Sequence, residues 1–97
     1  MKRKQNDIKL GEALTELMDT YKLSAKLNQI KVVEAWPKVL GKVVGNHTEK
    51  IWIKSDQLFV KLDSAALKNE LMYSKSKIVA SLNEFVGAKV VTEVVFI

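Results

Sequence analysis

The feature that most constrains this chain is a change of hydrophobic period along it. Through residues 8–45 apolar residues recur three or four apart. Between 50 and 62 they alternate with polar ones, and after 63 helical spacing returns. The last stretch, 89–97, is rich in β-branched residues. A period near 3.6 marks an amphipathic helix and a period of two marks a half-buried strand. The order reads α-α-β-β-α-α-β, which places the chain in the α+β class.

The first helix is expected over about 8–21. Leu10, Leu14, Leu17, Met18 and Tyr21 share its stripe, and Asp7 stands where an N-cap carboxylate accepts free N–H groups. Ser24 is the expected cap of a second helix carrying Leu27, Ile30, Val33, Trp36 and Leu40. Pro37 lacks an N–H and disfavours helical geometry at Trp36, so a kink or a split into 24–35 and 37–45 is expected there. Gly45 and Asn46 end that segment.

Ile51 and Ile53, then Leu58, Val60 and Leu62, alternate with polar or aromatic residues across Ser55-Asp56-Gln57. Two such runs across a short polar turn make a β-hairpin. Asp63 or Ser64 caps the following helix. The stretch that follows reads either as one long helix or as two broken at the polar segment Tyr73-Ser74-Lys75-Ser76-Lys77, Gly87 closes it, and 89–97 is read as the last strand. Roughly 25 residues between the second and third strands allow a helical crossover and a parallel pairing. The expected sheet has three strands in mixed order 1-2-3, with helices packed on one face.

The chain is 97 residues long, with 16 Lys+Arg against 11 Asp+Glu and a formal charge of +5. Residues 1–7 are polar and basic and are read as a loose N-terminus, with one domain over 8–97. No apolar core follows the basic start as a secretory signal would require, and no run approaches the ~20 apolar residues of a spanning helix. The expectation is a cytoplasmic protein with no membrane partner. Cysteine is absent and histidine occurs once, which excludes disulfides, thiolate nucleophiles and multi-His or Cys-based metal sites. Of the basic residues 15 are lysines, which act on phosphates as point charges rather than as forks that read bases.

With Ile51, Ile53, Leu58, Val60 and Leu62 turned to the helices, the other sheet face carries Lys50, Trp52, Lys54, Phe59 and Lys61. Rings interleaved with ammonium groups can stack bases and sit near phosphates, at ~1–3 kcal/mol per stacked base. Lys75 and Lys77 at the helix break are further candidate phosphate contacts. A competing reading covers Trp52 and Phe59 with helix 8–21 or a partner subunit. That helix needs a surface for its stripe, and strand 89–97 is apolar on both faces. This covered reading is favoured over an open platform.

Other residues carry blander readings. His47 is expected to be solvated or capping, Trp36 a core anchor, and Glu34, Glu70 and Glu84 parts of solvated faces. Gly41 and Gly45 permit close helix packing. They do not form a phosphate loop, because no Lys-Ser/Thr follows. No nucleophile and base pair, metal cluster or cofactor loop is present, so the chain is read as a non-enzyme without cofactors.

Trp36, Val39-Leu40-Gly41, Val44 and His47-Thr48 resemble the "W..vvG..va.ht" run of the DciA family. The run from Leu58 to Ser64 resembles its "L.V.v.ss" pattern, Glu70-Leu71 its "eL", and Leu82-Asn83 with Gly87 its "ln..lg". The resemblance covers about residues 8–97. It implies a KH-like (type II) domain with the order read above. It also implies a role in bacterial DNA replication, with the replicative helicase as partner and DNA binding by some members. Three departures matter. KH domains grip the backbone with a Gly-x-x-Gly loop, and the Tyr73–Lys77 stretch has no glycine. Ala65-Ala66 stand where the family often has an aromatic. Many members carry a further tail, whose activity does not transfer to residues 8–97. The leading expectation is a replication accessory protein contacting the helicase and single-stranded DNA. The alternatives are a general RNA or single-strand binder, and a homodimeric interaction module using helix one or the edge of strand three.

Overall fold

A computed structural model describes residues 10–97. The loose 1–7 segment and the Asp7 cap lie outside the described residues. The elements are α1 (Leu10–Leu40), α2 (Lys42–Asn46), β1 (Thr48–Lys54), β2 (Gln57–Leu62), α3 (Ala65–Met72), α4 (Lys75–Val86) and β3 (Glu93–Phe96). The strands form one sheet in order β1-β2-β3, with β1–β2 antiparallel and β2–β3 parallel. This is the mixed α+β arrangement, in the element order, that the hydrophobic periods dictate.

The helices pack on one sheet face. Val32, Ala35 and Trp36 of α1, Val44 of α2, and Ile78 and Leu82 of α4 are buried there. They meet Leu58, Val60 and Leu62 of β2 and Val94 and Phe96 of β3. Trp36 is central, with its ring tilted against Phe96 at 6.2 Å between centroids. Its indole Nε1 donates to Thr48 Oγ1 at 3.0 Å, and that hydroxyl donates to the Val44 carbonyl at 2.7 Å. A buried indole N–H thereby finds its acceptor, and the same chain of bonds joins α1, α2 and β1.

The expected breaks near Ser24 and Pro37 do not occur; α1 is one helix of 31 residues. Between Glu12 and Trp36 no glycine or proline interrupts it, so Ser24 sits mid-helix, where no cap is needed. Pro37 removes one helical N–H, yet the helix continues another turn and the Gly41 N–H still reaches the Pro37 carbonyl at 2.9 Å. The break falls at Gly41, whose φ of 97° and ψ of 169° are open essentially to glycine alone. Gly45 then passes close to Pro37. A Cβ on Gly45 would lie 3.0 Å from the Pro37 Cβ, whereas one on Gly41 would meet nothing within 4 Å, so of the two small residues four apart only Gly45 serves close packing.

The hairpin turns on Ser55 and Asp56, since Lys54 pairs with Gln57. Ser55 has a positive φ of 59° and Asp56 does not, the pattern of signs of a type II′ turn. Ser64 caps α3, its hydroxyl accepting from the Leu67 N–H at 3.2 Å. Asp63 instead pairs with His47, Nδ1 to Oδ1 at 2.7 Å, so His47 is an exposed tie between α2 and the end of β2. Gly87 closes α4 in the left-handed conformation.

The last strand is shorter than expected. Its lead-in belongs to Asn83, whose Oδ1 accepts from the Val90 and Val91 N–H groups at 3.0 Å each. The Asn83 Nδ2 donates to the Val91 carbonyl at 2.8 Å. Thr92 then binds back to Asp56, and regular pairing starts at Glu93. Val91 consequently enters the core beside Val94 and Phe96, rather than taking the outer face that unbroken alternation would give it.

Two substitutions test these local devices. Gly41→Ala should cost about 1–3 kcal/mol, since its backbone conformation resists any Cβ. Asn83→Ala should cost about 2–3 kcal/mol, because it strands two backbone N–H groups. Urea unfolding followed by far-UV circular dichroism measures both.

Candidate nucleic-acid interface

The sheet face turned away from the helices is open among the described residues. The covered reading fails within the chain: α1 lies in the helix layer and does not fold over Trp52 and Phe59. Trp52 is 40% exposed, Phe59 is half-buried, and Lys50, Lys54 and Lys61 are exposed. The physical reason is continuity. Once α1 runs unbroken from Leu10 to Leu40, its first half is carried away from the sheet and cannot turn back.

Strand register arranges this face in rows. Trp52 pairs with Phe59 and Phe59 with Val95, giving one apolar row across all three strands. Lys50 pairs with Lys61 on one side of it. Lys54, Gln57 and Glu93 align on the other, with the Gln57 amide donating to Glu93 at 3.2 Å. The Trp52 and Phe59 rings are stacked, 7° from parallel with centroids 5.4 Å apart. Each ring therefore covers one face of the other. The far face of Trp52, on an edge strand, is the side left for a third ring.

The charge is less uniform than three lysines imply. Glu49 is the extra residue where the β1–β2 register shifts, and its carboxylate lies 3.7 Å from the Lys61 ammonium. Sequence reasoning missed this pair, because strict alternation does not allow for a bulge. Val95 was not among the candidates either, because strand 89–97 reads as apolar on both faces and its spacing does not say which face is outer.

Lys75 and Lys77 do not join the other five candidates. They sit in the first turn of α4, in the helix layer. Lys75, Ser76 and Val79 form a shallow groove with Thr92, Glu93 and Val94 along the edge of β3. The seven candidates thus make a group of five on the open face and a group of two beside the opposite edge. Tyr73 and Ser74 separate α3 from α4, with Tyr73 fully displayed to solvent.

The two tryptophans should behave differently in solution. In Trp36→Phe, the remaining Trp52 should emit at longer wavelength and be readily quenched by acrylamide. In Trp52→Phe, the remaining Trp36 should be blue-shifted and protected. Steady-state fluorescence quenching checks both.

No helix of the described residues is long and apolar enough to cross a membrane. No curated protein matches the chain. The model of one protein family, described as "Dna[CI] antecedent, DciA", matches residues 9–96, nearly the whole chain. The resembling motifs have structural roles here: Trp36 and Thr48 share a hydrogen bond, Gly41 makes the helix break, and Asn83 and Gly87 shape the exit from α4. With the family matched over that span, the chain belongs to the DciA family, whose role lies in DNA replication.

Proposed function

We propose that this protein is a non-enzymatic accessory of DNA replication that contacts the replicative helicase and holds single-stranded DNA on its open sheet face. The observation that carries the DNA reading is the Trp52–Phe59–Val95 row flanked by Lys50, Lys54 and Lys61. A base stacks on the free side of Trp52, and the lysines neutralise flanking phosphates. Lys75 and Lys77, in the helix layer beside the β3 edge, are separated from these lysines by Glu93 and Val95 and are left out of this site. The helicase partner is supported by the family description.

Lysine point charges favour a grip on the backbone over base reading, so sequence preference should be weak. A general RNA or single-strand binder using the same face would show equal affinity for RNA. Competition between DNA and RNA oligonucleotides of one sequence separates the two.

Fluorescence anisotropy with a labelled single strand tests the site. If the three lysines neutralise phosphates, log K should fall with a slope of roughly −2 against log salt. Trp52→Ala should weaken binding by about tenfold or more with the fold intact, as loss of one stacking partner predicts. Glu49→Gln should strengthen binding by a few-fold, because Lys61 loses a competing carboxylate. Absence of binding at low salt would remove the DNA reading. Failure to retain the cognate helicase in a low-salt pull-down would remove the helicase reading.

A further inference from the structure

Behind the hairpin tip lies a cleft whose polar groups the fold does not use. Tyr21, Ser24 and Asn28 recur three and four apart on α1, so one face of the helix presents all three to it. Ser55 of the tip and Lys89, just before β3, line the opposite side. The tip itself is held in place. The Gln29 amide donates to the Ser55 carbonyl at 3.0 Å, and the Thr92 N–H donates to the Asp56 carbonyl at 2.9 Å. The cleft is therefore formed in advance, and little ordering is left for a ligand to impose.

Charge, hydrogen-bonding capacity and size say what the cleft can hold. Its lining includes Lys89 and no carboxylate, whereas the cleft between α1 and α4 includes Glu34 and the groove beside β3 includes Glu93. An anionic group meets no like charge there. Among the described residues the side chains of Tyr21, Ser24, Asn28 and Lys89 make no hydrogen bond or ion pair, although Asn28 is half-buried. Tyr21 is 74% exposed, which leaves its ring free to stack. The volume is about 250 Å³, just below the roughly 300–1,000 Å³ of pockets that enclose a whole small molecule. An open cleft of that size suits one unit of a longer ligand.

The cleft also continues the open sheet face. Ser55 directly follows Lys54, the lysine at the tip end of that face, and lies three residues, roughly 10 Å of strand, beyond Trp52. We infer that the cleft receives a further nucleotide of the single strand held on the open face, the strand passing round the hairpin tip. The Tyr21 ring stacks on the base, and the Lys89 ammonium neutralises the phosphate. The Asn28 amide and Ser24 hydroxyl each donate and accept, so they bond the base edge. This inference rests on the single-strand reading of the open face. It adds to that reading the one place where a base edge, and not only its ring or backbone, is contacted.

Fluorescence anisotropy of the full chain with labelled oligothymidylates of about 4 and about 12 nucleotides, within the range of single-strand site sizes, tests the path. On the longer strand the salt slope should steepen from roughly −2 to roughly −3, because Lys89 adds a fourth phosphate contact. Lys89→Ala should return it to roughly −2, and Tyr21→Ala should weaken the longer strand by about fivefold or more. Lys42→Ala removes the same charge from α2 and should change neither. Every variant should keep the wild-type circular dichroism spectrum, since Tyr21, Lys42 and Lys89 are exposed. Titration of the longer strand should also shift the Asn28 side-chain amide in a ¹⁵N–¹H spectrum. If no strand binds, the open-face reading falls and the cleft assignment falls with it. If Trp52→Ala weakens the longer strand while Tyr21→Ala and Lys89→Ala do not, only the cleft assignment is overturned. Lys42→Ala matching Lys89→Ala would overturn it as well, by showing that general charge is responsible.

Discussion

The burial of Trp36 is the interaction on which the rest of the structure depends. Its ring fills the space between α1 and β3, and its N–H reaches across to Thr48 at the start of β1. Thr48 passes the bond on to α2. One side chain thus holds the C-terminal end of α1, the short α2 and the first strand in a fixed relation. A Trp→Ala change in such a core typically costs about 3–5 kcal/mol, a large part of the 5–15 kcal/mol by which domains are stable. The His47–Asp63 pair and the close pass of Gly45 over Pro37 trim the same corner.

Because that core lies wholly on one side of a three-stranded sheet, the other side is left to solvent. An antiparallel pair can tolerate this when its outer residues are polar, and Lys50, Lys54 and Lys61 meet that need. Trp52 and Phe59 do not, and they reduce their exposed area by stacking on each other. Aromatic rings fixed on a rigid strand pair between ammonium groups lose little freedom when a nucleotide arrives. This is the physical basis for reading the face as a binding surface.

Much of the fold was legible from the residues. The switch from helical to alternating spacing located the hairpin, and the length of the second helical region implied the parallel third strand. The outer-face set of Lys50, Trp52, Lys54, Phe59 and Lys61 also followed from alternation alone. The errors arose where one local signal competed with its surroundings. Ser24 and Pro37 looked like helix boundaries, but the first lacks any breaker beside it and the second sits one turn before a stronger one, Gly41. Val91 looked like part of a strand, but the Asn83 side chain captures its backbone first. Glu49 beside Lys61 was invisible, since a bulge changes which residues become neighbours.

The sequence by itself determined the order of elements, the two faces of the sheet, and the matching of one face to the helices. These follow from side-chain periodicity, which is a local property of the chain. Only the tertiary structure decided whether Trp52 was covered, whether the seven candidate residues formed one group, and where the stripe of α1 lay. These depend on the direction in which a long helix leaves the core. That direction is set by Trp36 and the Gly41 break, far in sequence from the residues whose exposure it controls.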